Sequence, residues 1–310
     1  MKEDLLVIVG PTAVGKTRLS LELAAEFNGE IISGDSMQVY RGMDIGTAKA
    51  TAAERAKVPH HLIDFLDPDR PFSVEEFQRL ARKKITEIQN RKHLPMLVGG
   101  TGLYIQAVTH GYQFPGVEAD PDFREEMNAF ADREGNEALL EKLRKVDPKT
   151  AARLHPNNRP RVIRALEIYR ATGKPASQLM RKESESPYHL LWIGLTRPRP
   201  MLYQRIDQRV DSMIEAGLVE EVARLRRLGY GKDLQSMQAL GYKEIMEYLE
   251  GRMSLAEAIE EIKRGTRNYA KRQLSWFRRI KEINWFDVSD PETGKEIQQL
   301  VAGNFPGYRE

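Results

Sequence analysis

The sequence predicts an α/β protein: a parallel-sheet core, a helical insertion and a helical C-terminal part. Three observations carry this. Short apolar runs lead into glycine turns and then into helix signals, the alternation that builds parallel sheets. The stretch from about Phe114 to Ser186 shows helix signals and no strand pattern. Beyond Pro200, helical periodicity runs to about Ile280.

Leu5–Val9 is continuously apolar and reads as a buried strand. Lys16–Phe27 follows as a helix, with Leu19, Leu23 and Phe27 on one face. Glu30–Ser33 is a second short strand, ending at Gly34-Asp35. Ser73–Asn90 is a helix: Ser73 caps it, Glu76 sits three on, and Phe77, Leu80, Ile85 and Ile88 are its apolar positions. Pro95–Val98 is another apolar strand, running into Gly99-Gly100-Thr101-Gly102. The middle stretch is divided by turn signals at Phe114-Pro115-Gly116, Asp120-Pro121, Asp147-Pro148, His155-Pro156 and Thr172-Gly173-Lys174-Pro175. Tyr188–Leu195 is a strand again. The simplest organisation is a sheet domain of residues 1–114 and 187–310, interrupted by a helical insertion over 115–186. Pro306–Glu310 reads as a loose tail.

The bulk numbers set limits. The 310 residues are 41% hydrophobic and 30% charged, so a core of ordinary size is available. The net charge is only +3, so any affinity for nucleic acid must come from local clustering. With no cysteine, disulfides and cysteine-based zinc sites are excluded. The charged start, Met1-Lys2-Glu3-Asp4, is unlike a signal peptide, and no apolar run approaches ~20 residues. A soluble cytoplasmic protein with no membrane contact is expected.

The first glycine turn is the most informative stretch. Gly10-Pro11-Thr12-Ala13-Val14-Gly15-Lys16-Thr17 fits G-x-x-x-x-G-K-[ST] at every fixed position, between a strand and a helix. Its glycines let backbone N–H groups point inward around phosphate oxygens. The helix beginning near Lys16 adds its positive end. Lys16 supplies a mobile cation and Thr17 a hydroxyl for Mg²⁺. The core is therefore expected to be P-loop NTPase-like, a nucleotide-binding class, although the motif identifies a di- or triphosphate and not a reaction. NTP-hydrolysing enzymes pair such a loop with a strand-ending acid. Here Asp35 is that acid. It can hold metal, act as a base, or merely cap a turn.

Lys263 to Lys281 carries eight Lys or Arg and no acid. Ile262, Tyr269 and Trp276 recur every seven residues on one helical face, and Arg264, Lys271 and Arg278 on another. The first face reads as core, its aromatics included. The second suits a phosphate backbone better than a solvated face of mixed sign. A second cluster is Arg159, Arg161, Arg164 and Arg170, with Val162, Leu166 and Tyr169 as its packing side. A third is Arg197, Arg199, Arg205 and Arg209; the last two are four apart and able to turn toward one anion. His60 and His61 lack further ligands at metal spacing and read as structural.

Taken together, "GPTAVGKT" (Gly10–Thr17), "SGDSMQVYRGMDIGTAK" (Ser33–Lys49), "HHLID" (His60–Asp64), "VGGTGLY" (Val98–Tyr104), "NNRPRVIRALE" (Asn157–Glu167), "ALGYKE" (Ala239–Glu244) and "TRNYAKRQLSWFR" (Thr266–Arg278) resemble the bacterial-type tRNA dimethylallyltransferases, also called tRNA isopentenyltransferases. The stretches fall in family order over nearly the whole chain. The resemblance implies transfer of a dimethylallyl group from its diphosphate to N6 of adenosine 37, beside the tRNA anticodon, with release of pyrophosphate. It implies that loop 10–17 holds a leaving group, with Mg²⁺ on Thr17. Asp35 would be the base, Thr101 would hydrogen-bond near the adenine, and Lys16 with Arg205, or Arg209 in its place, would neutralise the diphosphate. The adenine would be flipped into a pocket between the domains, past Ser36, Met37 and Gln38. Arg159, Arg161, Arg164, Gly241, Tyr242, Lys243, Lys271, Arg272 and Arg278 would meet the anticodon stem-loop. A monomer is expected. Two enzyme rivals share the loop: a small-molecule kinase, which needs ATP, and an adenylate isopentenyltransferase, which needs no RNA-gripping surface. A nucleotide-gated RNA-binding protein without catalysis is the rival from another class.

Overall fold

The computed structural model describes residues 2–180 and 185–309; residue 1, in the charged start, residues 181–184, in the expected insertion, and residue 310, at the end of the expected tail, lie outside them. The elements are β1 (Glu3–Val9), α1 (Lys16–Glu26), β2 (Gly29–Ser33), α2 (Ala52–Lys57), β3 (His60–His61), α3 (Val74–Asn90), β4 (Leu94–Gly99) and α4 (Gly102–Thr109). Then come α5 (Pro121–Glu134), α6 (Asn136–Val146), α7 (Pro148–Ala151), α8 (Arg159–Thr172) and α9 (Ala176–Leu179). The chain continues as β5 (Tyr188–Thr196), α10 (Arg199–Glu215), α11 (Leu218–Arg227), α12 (Tyr242–Leu249), α13 (Leu255–Phe277), β6 (Asn284–Asp287) and α14 (Thr293–Asn304). Two compact units result: residues 1–109 with 187–310, and residues 110–186.

The first unit is built on a six-stranded sheet in the order β3-β2-β4-β1-β5-β6, with every pairing parallel. The continuous apolar run of β1 has a simple cause: both of its faces are covered. Leu5, Val7 and Val9 join a core with Phe77, Ala81, Ile85 and Ile88 of α3 and Ile262 and Phe277 of α13. Leu6 and Ile8 join a second core with Leu19, Leu23 and Phe27, Ile206 of α10, and Ile297 and Val301 of α14. Ser73 caps α3 by accepting from the Glu76 N–H.

The second unit, among its described residues, is helical throughout. Its core gathers Phe123, Met127, Leu139, Leu143, Val162, Ile163 and Leu166. Buried Glu167 accepts from the Asp120 N–H at 2.8 Å and is bound by Arg124. These partners hold its carboxyl down at about 2, against the cost of burial.

One expectation needs correction, and one strand lies beyond those the sequence showed. The chain returns to strand at β6, which extends the sheet edge by pairing Ile193 with Asn284. Four residues paired on one side are too short to show a period. Residues 306–309 do not form a loose tail: Tyr308 packs edge-on to buried Phe305 at 6.4 Å, and Arg309 pairs with Glu26 at 3.2 Å.

One buried carboxylate organises the loop after β2. Glu221 of α11 accepts from the N–H groups of Asp44 and Ile45, both at 2.9 Å, from Gly46 at 3.2 Å, and from the Tyr242 hydroxyl at 2.5 Å. Glu221→Ala would leave these buried donors unpaired. It is expected to cost about 1–3 kcal/mol of unfolding free energy, read from urea denaturation; an unchanged midpoint would contradict this account of the loop.

Candidate active site

At the carboxyl edge of the sheet, loops after β1, β2 and β4 meet elements from α10 and α13 around a cavity of about 660 Å³. Crevices at this edge are where open parallel sheets bind ligands. Thr12–Thr17, Asp35–Gln38, Gly99, Gly100, Arg205 and Arg209 line it.

The phosphate loop bridges β1 and α1. Gly15 is the N-cap of α1 with φ 115°, a left-handed conformation that favours glycine, and no side chain caps the helix. The first-turn N–H groups and the positive helix end are thus left for an anion. Ala13 is also left-handed, with φ 62°. Its carbonyl accepts from Arg205 Nε at 3.1 Å. Lys16 Nζ donates to the Gly10 and Pro11 carbonyls at 2.9 and 2.8 Å. Burial and then the nearby Arg209 push the Lys16 ammonium down to about 7, and Asp35 opposes them. Burial likewise lowers Arg209, with Arg205 adding to it and Asp35 opposing. Three cations with one carboxylate among them form a site short of negative charge.

Asp35 sits in the turn after β2. One of its oxygens accepts the Met37 N–H at 2.8 Å, so it does cap a turn. It faces the cavity as well. Its charge is felt by Lys16, Arg209 and Tyr269. Gln38 is fixed on both sides: its Oε1 accepts from Ser33 Oγ at 2.9 Å and its Nε2 donates to the Thr47 carbonyl at 3.1 Å. Thr101 stands one layer back from the wall, where its hydroxyl accepts the Ser36 N–H at 3.2 Å.

Helix α13 closes one side. Tyr269, read from sequence as core, lines the cavity. Its seven-residue phase with Ile262 and Trp276 does point it at the sheet, but at the edge where the sheet gives way to the crevice. Burial and then Asp35 push its hydroxyl up to about 12, against hydrogen bonds with Thr101 and Gln273. Trp276 packs against the first core. Apolar wall is supplied by Val210, Met213, Leu240 and Ile262.

The cations divide by partner. Lys271, Arg272 and Arg278 are exposed and have no ion pair among the described residues. Lys263, Arg264 and Arg267 are neutralised by Asp211 at 2.7 Å, Glu261 at 2.5 Å and Asp207 at 2.5 Å. In the helical unit, Arg161 is exposed, whereas Arg159 pairs with Asp132 at 2.7 Å. Arg164 is held by Glu167 and donates to the Val117 carbonyl at 2.7 Å, so its head is engaged within the unit. Gly241 and Lys243 line the cavity. Tyr242 corrects the expectation of an RNA contact: it is fully buried, and its hydroxyl is bound to Glu221.

His60 lines the cavity with Nδ1 2.8 Å from the Val58 carbonyl. His61 and His93 flank buried Glu30 at 2.6 and 2.7 Å, and Arg91 pairs with the same carboxylate. Sequence reasoning missed Gln273 and Glu221. Each is a polar residue in phase with an apolar face, the signal that could have found them.

The sheet order, the glycine loop at the helix start and the cationic crevice define an α/β phosphate-binding protein of the P-loop class. The family described as IPP transferase matches residues 38–280, and the chain belongs to it. It is 56% identical over 308 residues to the tRNA dimethylallyltransferase of Halalkalibacterium halodurans, covering 98% of each chain. The solved tRNA isopentenylpyrophosphate transferase of Bacillus halodurans superposes with a TM-score of 0.74 at 54% identity, over 98% of this chain and 97% of that one. A eukaryotic dimethylallyltransferase, solved acting on tRNA, superposes with a TM-score of 0.80 at 31% identity, over 99% of this chain and 80% of that one.

The Lys16 shift has a measurable sign. A lysine lowered from 10.5 to about 7 makes the ligand-free fold gain stability as pH rises between those values. A bound anion restores the charged form, so pyrophosphate binding at pH 8 should take up close to one proton at Lys16, and almost none below pH 6. Calorimetry in buffers of different ionisation enthalpy reads this as the difference between wild type and Lys16→Met, which removes pyrophosphate's own ionisation. Equal uptake in the two proteins would contradict it.

Proposed function

We propose that this enzyme transfers the dimethylallyl group of dimethylallyl diphosphate to N6 of adenosine 37 in tRNA. The observation that carries the proposal is a lone carboxylate, Asp35, in the same cavity as Lys16, Arg205, Arg209 and an apolar wall. A base beside a leaving-group cradle suits alkyl transfer. The names of the relatives at 56% and 54% identity support the same reaction.

In this reading Gly10–Thr17 cradles the diphosphate, with Arg205 and Arg209 on α10 closing over it. Val210, Met213, Leu240 and Ile262 offer apolar surface to the five-carbon group. The N6 lone pair attacks C1 as the C1–O bond breaks, the bonding electrons leave with diphosphate, and Asp35 takes the N6 proton. The adenine amine is a poor nucleophile because its lone pair is delocalised, so this proton transfer is worth about 10²–10⁴-fold. Thr101 and Tyr269 set the Ser36–Asp35 turn from behind and beside it. Thr17 fits Mg²⁺, which takes only one or two protein oxygens when phosphates and water complete its shell. When bound, the ion would neutralise charge on the leaving group. The target base must leave its stack to enter the cavity. The helical unit, through Arg161, and the outer cations Lys271 and Arg278 would hold the RNA backbone, with Arg272 at the cavity wall beside Tyr269, in a monomer working in the cytoplasm. These exposed cations favour tRNA over free AMP as acceptor.

The deciding assay mixes protein, Mg²⁺, labelled dimethylallyl diphosphate and either tRNA or AMP. Label on tRNA, lost when adenine 37 is replaced, is expected. Label on AMP alone would make the protein an adenylate isopentenyltransferase, and ATP consumption without label a kinase. Asp35→Asn should slow transfer by about 10²–10⁴-fold while stem-loop affinity holds, as measured by single-turnover rates and filter binding. Full activity in that variant would remove the base. Lys271→Ala and Arg278→Ala should each reduce the slope of log affinity against log salt by about 1. An unchanged slope in both would take RNA off that face.

A further inference from the structure

We infer that Gln273 is a positioning residue that couples RNA binding on α13 to the shape of the phosphate loop. This rests on the transferase reading, which makes the outer face of α13 the RNA-facing one.

Gln273 is polar yet only 5% exposed. Its Oε1 accepts the Thr12 N–H at 2.9 Å, and its Nε2 donates to the Gly100 carbonyl at 3.1 Å. One side-chain amide thus bridges the loop after β1 and the turn after β4. The approach is so close that a methyl group at Gly100 would collide with Nε2. The neighbours of Gln273 on the same face reinforce the seat. Tyr269 bonds Thr101, and Trp276 covers Gly102 so closely that a Cβ there would strike the indole. Residues 269, 273 and 276 share one side of the helix, while exposed Lys271 and Arg278 fall on the opposite side.

A helix is a rigid element, so a phosphate backbone pressed on the outer face shifts the inner face with it. The loop is responsive at that point. Ala13, next to Thr12, holds a left-handed backbone that persists only when its surroundings fix it. Gln273 holds Thr12 on one side, and Arg205 holds the Ala13 carbonyl on the other. The position needs an acceptor and a donor at once, which a side-chain amide provides. Glutamate keeps the acceptor but sets an oxygen against the Gly100 carbonyl, and alanine abandons both groups. Coupling of this kind is reciprocal: RNA should tighten diphosphate, and diphosphate should tighten RNA by the same factor.

The test measures the affinity of Mg²⁺-pyrophosphate with and without saturating anticodon stem-loop RNA, in wild type, Gln273→Ala and Gln273→Glu. Thermal melts verify that the variants fold. RNA is expected to tighten pyrophosphate by roughly 5–150-fold in wild type and by less than about twofold in both variants. The affinity of RNA alone should stay the same, which a general loosening of the fold would not allow. No enhancement in wild type, or an undiminished one in the folded variants, overturns the coupling while leaving the transferase reading intact. A wild type that binds no pyrophosphate overturns that reading, and the coupling with it.

Discussion

The site depends on how closely two backbone turns approach each other. β2 and β4 are paired neighbours; β2 leads into Gly34 and β4 ends at Gly99. A Cβ on Gly99 would collide with the Gly34 carbonyl, and the Gly34 N–H donates to the Val98 carbonyl at 2.8 Å. With no side chains between them, the two turns nest, Thr101 reaches Ser36, and Asp35 is brought beside the phosphate loop. A side chain at Gly99 would push the two turns apart, and with them base and leaving-group cradle, whereas one at Gly34 would strike the Ile105 side chain. Reacting groups must be held to about 3–3.5 Å, so that displacement would matter more to catalysis than to folding.

Around this contact the molecule arranges its charge unevenly. Structural carboxylates are saturated: Glu30 by Arg91 and two histidines, Glu167 by two arginines, Glu221 by three N–H groups and a tyrosine. The cavity is left in the opposite condition, with Lys16, Arg205 and Arg209 facing Asp35 alone. Burial weighs against the charged forms of Lys16 and Arg209, and an arriving diphosphate offsets that cost. Developing charge on the leaving group meets dipoles and cations already in place, the arrangement that usually carries the largest share of catalysis.

Much of this was legible in sequence because it is local. The loop Gly10–Thr17 is read from spacing, β1 and β4 from continuous apolar runs, and the Ser73 cap from the start of its helix. What was illegible depends on contacts between distant residues. Periodicity cannot show that Asp207 and Asp211 neutralise Arg267 and Lys263, so the acid-free run looked more uniformly available to RNA than it is. Tyr242 sits in a stretch shared with the family, yet its ring serves the core and Glu221. Tyr269 had the phase of a core residue and became cavity wall, because the sheet ends beneath it. Gln273 was visible only as a polar residue on an apolar face, and its two partners lie in loops 261 and 173 residues away.

The central claim is that a loop of the nucleotide-binding class here holds a leaving group. Its most direct test counts products: pyrophosphate released against N6-prenylated adenosine formed, from dimethylallyl diphosphate and anticodon stem-loop RNA in Mg²⁺ without any nucleotide. The account predicts one pyrophosphate for each prenylated adenosine, with ATP acting only as a competitor for the loop. Turnover that appears only with ATP, or orthophosphate as the released product, would contradict it.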